Sequence, residues 1–124
     1  MPALAEAWEL DVDRGPDWLL VKVKGHHSDR TVPLSEAVWQ LLQRHLTYRV
    51  VLELDQIEVL DSHLIGQLIE LYKRIRSHDG VMRLCGLSAY NRQVLHVCHL
   101  DDRLTPYSDR EEAVMGRLRT PHPK

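Results

Sequence analysis

The stretch Arg49-Val50-Val51-Leu52-Glu53-Leu54-Asp55-Gln56-Ile57-Glu58-Val59-Leu60-Asp61-Ser62-His63-Leu64-Ile65-Gly66 changes its hydrophobic pattern part-way along. Its first six residues form a short run dominated by Val and Leu and bounded by polar residues, the pattern of a strand covered on both faces. From Leu64 onward, Leu64, Leu68, Leu71 and Ile75 recur at helical spacing, and Ile65, Ile69 and Tyr72 widen the stripe, so a heavily buried helix is predicted. Residues 56–60 connect the two. Asp61 or Ser62 can cap the helix by accepting one of its unpaired amide hydrogens, and Asp79-Gly80 can end it with a glycine that tolerates a left-handed backbone. Residues 81–85 are a second short apolar run, and strand, helix, strand in succession makes a parallel crossover. A parallel pair is therefore expected at the centre of the sheet.

Upstream, residues 8–13 alternate apolar and polar, residues 18–24 do much the same, and the turn-forming Arg14-Gly15-Pro16-Asp17 lies between them, which predicts an antiparallel hairpin. Gly25 breaks the second strand, and residues 26–30 read as a loop leading to Pro33, a residue well tolerated in the first turn of a helix. Leu34, Val38, Leu41, Leu42 and Leu46 then mark a first amphipathic helix. Downstream, Ser88 can cap a third helix running through Tyr90, Val94, Leu95, Val97 and Cys98. Residues 104–107 suit a short edge strand, and residues 109–118 a last helix. The expected fold is a single α/β domain over residues 1–118, a mixed sheet of four to five strands with about four α-helices. Residues 119–124 would form a frayed tail. The core is expected to include Leu20, Val38, Leu41, Val51, Leu52, Leu54, Leu68, Leu71, Ile75, Leu84 and Val94.

The 124 residues fall within the usual size of one domain, and 44% hydrophobic with 27% charged residues is an ordinary globular balance. A net charge of −2 offers no positive field for phosphates, so nucleic acid is not expected as a partner. The densest basic cluster, Lys73, Arg74 and Arg76, reads as the solvated side of a helix. No run of apolar residues is long enough to span a membrane, and the first ten residues are acidic rather than basic then apolar, so the chain is expected in the cytoplasm. Cys85 and Cys98 lie within apolar patterns, where buried free thiols are common, and a reducing compartment suits them.

Signatures of catalysis and of cofactor binding are missing: there is no glycine-rich phosphate loop, no C-x-x-C, no H-E-x-x-H and no G-x-S-x-G, so neither an enzyme nor a cofactor is expected. Among the histidines, His96 and His99 share a helical face, but Cys98 points elsewhere, and His26-His27 are merely adjacent; no metal site is expected. The residues with most chemical content are those of the junction. A hydroxyl where a strand hands over to a helix meets free amide hydrogens and the positive end of the helix dipole, so a phosphoryl group on Ser62 could be held there; equally, Ser62 could be an ordinary cap.

Val50-Val51-Leu52-Glu53-Leu54 followed by Asp61-Ser62 and Gly66, together with Cys85-Gly86-Leu87-Ser88, the stretch from Val94-Leu95 to Leu100-Asp101 and the late Glu112-Ala113, resembles the STAS domains, the group named after sulphate transporters and anti-sigma-factor antagonists. The resemblance implies a non-catalytic domain that, in its bacterial single-domain form, docks a GHKL-type serine kinase acting as an anti-sigma factor. Phosphorylation at the start of the long helix switches that docking off. It places the partner contact at Glu58, Asp61, Ser62, His63 and Leu64, with Ser62 as the phosphorylation candidate. The best-known antagonists read Asp-Ser-Ser-Gly or Asp-Ser-Thr-Gly here and are phosphorylated on the second hydroxyl residue. In this chain His63 takes that position and Leu64 replaces the glycine, adding bulk and apolar surface where a partner would approach. Some scaffold members of the family use the serine directly after the aspartate, which keeps Ser62 as the candidate and leaves a phosphohistidine at His63 as an alternative.

Three functions remain open on these residues: a kinase-docking antagonist, a scaffold or transporter-associated STAS subunit that is never phosphorylated, and a nucleotide or small-ligand sensor using the helix start as an anion site.

Overall fold

In a computed structural model, which describes residues 8–25 and 32–116, one five-stranded sheet runs in the order β1-β2-β3-β4-β5. Strand β1 (Trp8–Arg14) and strand β2 (Leu19–Gly25) form the predicted hairpin, with Trp8 opposite Gly25 and Arg14 opposite Leu19; Gly15 N–H donates to the Trp18 carbonyl to close the turn. Helix α1 (Leu34–His45) follows. Strand β3 (Arg49–Glu53) then enters the sheet parallel to β2, and helix α2 (Ser62–Arg76) returns the chain to strand β4 (Val81–Cys85), parallel to β3 with Leu52 opposite Leu84. Helix α3 (Ala89–Val97), the two-residue strand β5 (Pro106–Tyr107) and helix α4 (Arg110–Met115) complete the order. The mixed sheet with four helices is the architecture expected from the sequence. The predicted loop at 26–30 and the tail at 119–124 lie outside the described residues.

Side-chain alternation divides the sheet into two faces. Leu19, Val21, Val23, Val50, Leu52, Leu54, Met82 and Leu84 join Val38, Leu42, Leu68, Leu71, Ile75 and Leu95 in one large core under α1, α2 and α3. Trp18, Leu20, Val51, Cys85, Tyr107 and Ala113 form a smaller cluster on the opposite face, where α4 packs. The expected core residues are buried, except that Leu41 and Val94 are only half-buried at its margin. Trp39, which the pattern did not single out, is buried instead.

Several ends differ from expectation. Leu46, assigned to the stripe of α1, is its C-cap: it adopts φ 56° and is 89% exposed. In α3, Tyr90, Val97 and Cys98 are exposed, and the inward positions are Asn91 and Leu95. The residue in left-handed conformation after α2 is Asp79, φ 59°. Gly80 is required for a different reason, since a Cβ there would lie 2.2 Å from the Tyr48 carbonyl oxygen. Helix α4 is shorter than predicted. Asp109 caps it by accepting from Glu112 N–H, and Gly116, φ 76°, ends it; residues 117 and 118 lie outside the described residues. Of the basic cluster, Arg74 is not simply solvated. It pairs with Glu36 at 2.9 Å and lies 4.4 Å from the Trp39 ring centre, tying α2 to α1.

Candidate partner-binding site

Loops leaving the C-terminal ends of the parallel strands β3 and β4 meet, because each strand hands its chain to a helix on the same side of the sheet. The first turns sharply at once, Ile57 N–H donating to the Leu54 carbonyl, and then alternates: Ile57 and Leu60 are buried in the large core, while Glu58 and Val59 face outward. Nothing in the composition of this loop would hold its backbone so firmly. The restraint comes from α3. Asn91 is completely buried, its Oδ1 accepts from Leu60 N–H at 3.0 Å, and its Nδ2 donates to the carbonyls of Ile57 and Glu58 at 3.2 and 3.3 Å. A single carboxamide thus satisfies three backbone groups, and the bonds to Leu60 N–H and the Ile57 carbonyl lie away from water, where an unpaired group would be costly. Asn91 is itself fixed by the cap of α3, its N–H donating to Ser88 Oγ.

The loop ends at Asp61, whose Oδ1 accepts from Leu64 N–H at 2.8 Å. Of the two cap candidates, then, Asp61 is the cap. Ser62 is the first helical residue and its side chain is exposed, as is that of His63. Leu64 is a correction to the sequence reading. It is 4% exposed and belongs to the large core, so it anchors the helix start and adds no apolar surface for a partner. Apolar exposure comes instead from Val59 on the loop and from Tyr90, next to Asn91 on α3. One turn beyond Ser62, Gly66 is exposed, and a Cβ there would meet nothing within 4 Å. No packing demand explains a glycine at that helical position; it leaves a flat patch on the outer side of α2 between Ser62 and Glu70.

Charges behind the loop are largely matched. Glu53, almost buried, pairs with Arg110, which also holds Asp13 at 2.9 Å; these two carboxylates raise the pKa of the guanidinium. Lys22 lies 3.5 Å from Asp55. Burial opposes ionisation of Asp55, but hydrogen bonds from the Gln56 amide and its own backbone N–H, with the Lys22 charge, outweigh it and leave its pKa below the usual carboxylate value. Cys85, under this network, is pushed up to about 12 by burial and then by Glu53 and Asp55. Cys98 is exposed at the end of α3, against the expectation of two buried thiols. Among the described residues, no group of His, Cys, Asp and Glu is arranged to hold a metal ion, and no helix is long and apolar enough to cross a membrane.

The STAS domain family model matches residues 11–113, a span from β1 to α4 that includes the loop, the capped helix and the Asn91 clamp. The chain belongs to the STAS family. Solved structures agree on the fold. An anti-sigma factor antagonist from Mycobacterium paratuberculosis superimposes with a TM-score of 0.72 at 20% identity, over 89% of this chain and 93% of that one. The Bacillus cell fate determinant SpoIIAA in its phosphorylated form gives 0.63 at 14% identity, over 89% and 98%. A chain from the molecular architecture of the stressosome gives 0.59 at 16%, over 86% and 94%. Within this STAS domain, Asn91 is the residue that sequence reading missed. Its signal was available as the spacing Leu87, Asn91, Leu95, a polar residue at the centre of an inward stripe.

Proposed function

We propose that this STAS domain is a non-catalytic regulatory module that docks a GHKL-type anti-sigma kinase through residues 58–63 and the outer side of α2. The observation that carries this reading is the combination of a rigidly clamped loop with a helix start at which Ser62 and Gly66 face outward, Asp61 rather than Ser62 caps the helix, and no packing contact calls for a glycine at position 66. A docking surface gains from such rigidity, because little conformational entropy remains to be lost on binding. Ser62 is the proposed switch. Its hydroxyl stands free of the capping role, and a phosphate adds about −1.5 to −2 charges beside Asp61 and Glu58, so the docked surface would be disrupted by repulsion and desolvation. SpoIIAA, similar in fold, is known in a phosphorylated form, which supports the same kind of control here.

A second reading, the scaffold or transporter-associated subunit, is favoured by His63 at the position where the family carries its phosphorylated hydroxyl, and by the fold shared with the stressosome chain. A nucleotide sensor is the weakest of the three, since the cleft beside α2 is lined by Glu58 and Asp61 rather than by a glycine-rich row of amides. The deciding experiment measures binding of GHKL-type anti-sigma kinases from the same organism to wild type, Ser62→Asp and Gly66→Arg. Docking as proposed requires tight binding by wild type and at least a tenfold loss in both variants, each still folded. Undiminished binding by both would reject it. Intact-mass measurement on protein from its own cells separates the readings, as a fraction one phosphate heavier excludes the fixed scaffold.

A further inference from the structure

Two of the three tryptophans hold arginine on their rings. Trp18 has the Arg49 and Arg83 guanidinium carbons at 4.4 and 5.0 Å from its ring centre, and Trp39 has that of Arg74 at 4.4 Å. Trp8, half-buried at the start of β1, has no such cation among the described residues, and it borders an open cleft of about 350 Å³. Gly25, its partner across the hairpin, contributes no side chain to the space between them. The opposite wall is the candidate docking loop: Gln56, Ile57, Glu58 and Val59, with Asp61 and Leu64 at the helix start.

Charge along this wall is one-sided. Residues 50–72 include five acidic residues and no Lys or Arg. Glu53 and Asp55 are neutralised by Arg110 and Lys22, whereas no Lys or Arg among the described residues pairs with Glu58 or Asp61. Asp61 engages Leu64 N–H through Oδ1, which leaves Oδ2 available. An indole face and two carboxylates with no Lys or Arg partner among the described residues, around one cleft, meet the requirements of a guanidinium: a planar cation that stacks on an aromatic ring while donating to carboxylates.

We propose that the cleft between Trp8 and the loop bearing Glu58 and Asp61 receives an arginine side chain of the docked protein partner, an inference that rests on the docking reading above. The guanidinium lies on the Trp8 ring and donates to the two carboxylates, fixing the register in which the partner meets α2. Phosphate on Ser62 would then act next to the arginine subsite.

The test needs no partner. N-acetyl-arginine amide and its neutral isostere, N-acetyl-citrulline amide, are titrated into the full chain while the Trp8 indole N–H and the Glu58 and Asp61 amides are followed by NMR. The arginine derivative is expected to shift these signals saturably with a millimolar dissociation constant, and citrulline at least tenfold more weakly. Trp8→Leu should abolish the response. Because Trp8 also touches the core, the double variant Glu58→Gln/Asp61→Asn is the control: asparagine still caps the helix, yet binding should fall about tenfold. Equal responses to both compounds, or a response unchanged in the double variant, overturn the proposal. So does binding that emerges only in Arg30→Ala, which would assign the cleft to the chain's own residues 26–31. Any of these failures leaves the docking surface at Ser62 and Gly66 standing, since that surface is tested by the kinase-binding variants.

Discussion

Replacing Asn91 with Ala should separate the loop from the fold that carries it. The substitution removes three hydrogen bonds at 3.0 to 3.3 Å and strands Leu60 N–H and the carbonyls of Ile57 and Glu58. At about 1 kcal/mol net for each bond, the loss is about 3 kcal/mol if water enters the vacated space and satisfies part of the deficit. Asn91→Leu fills that space, excludes the water and leaves the same three groups unpaired, so it should cost at least as much despite being more hydrophobic. Either loss is tolerable for a domain of ordinary stability, and both variants should fold. In urea, with a slope of about 1.5 kcal/mol per molar, the midpoint should fall by about 2 M. Native-state hydrogen exchange reads the local effect: the Leu60 amide should lose its protection while the β3 and β4 amides keep theirs relative to the lowered global stability. An Asn91→Ala protein that loses less than 1 kcal/mol and still protects Leu60 would refute the clamp, and with it the claim that the loop is presented rigidly.

Gly80→Ala should be among the most damaging single-methyl additions in the chain, costing about 3 kcal/mol or more, because its Cβ would stand 2.2 Å from the Tyr48 carbonyl oxygen and 2.7 Å from Ile75 Cγ2; thermal unfolding measures it, and a shift of only a degree or two would contradict the contact. Native protein at pH 8 should take up one thiol label per chain, on exposed Cys98, and two after denaturation, since burial and the nearby carboxylates hold Cys85 at about 12; rapid double labelling of folded protein would count against this. Asp55 has its folded-state pKa below the unfolded value, about 3.9, so its stabilising contribution is present above that pH and is lost as pH falls through the folded value. Asp55→Asn should therefore flatten the acid limb of the stability profile below about pH 4, and parallel profiles for the two proteins would be the contrary result.

The central β3-α2-β4 unit was legible because its signals are redundant: a doubly covered strand, a stripe of three leucines and an isoleucine, a cap at one end and a glycine just past the other all demand one arrangement. The misreadings fall where a residue's role depends on partners distant in sequence. Leu46 fits the period of α1, yet the helix stops before it and the chain turns through a left-handed conformation, leaving the side chain in solvent. Leu64 carries two sequence readings, the first position of the buried stripe and, through the family resemblance, apolar surface for a partner; helical geometry sets it with Leu68 and Leu71 against the sheet, so the periodicity is right and the analogy is not. Asn91 was passed over because an apolar periodicity search has no place for a polar residue whose three acceptors and donors lie 31 to 34 residues away.

That same separation explains how the site can be both rigid and replaceable. Its outward residues, Glu58, Val59, Ser62, His63 and Gly66, bear none of the core contacts, which fall to Ile57, Leu60 and Leu64, while the backbone is held from α3 by Asn91. Substituting an outward residue should therefore change recognition with a stability cost near zero, and Gly66→Ala should even stabilise α2 by about 1 kcal/mol, as nothing opposes the added methyl. Docking and folding then respond to different side chains of one short segment. Unfolding and kinase-binding measurements on Gly66→Ala and Asn91→Ala can show it: the first should gain stability and keep or lose binding by contact alone, and the second should lose both, since its loop is no longer held. If Asn91→Ala bound as tightly as wild type, the outward residues would not need the clamp, and rigidity would have to be dropped from the account of recognition.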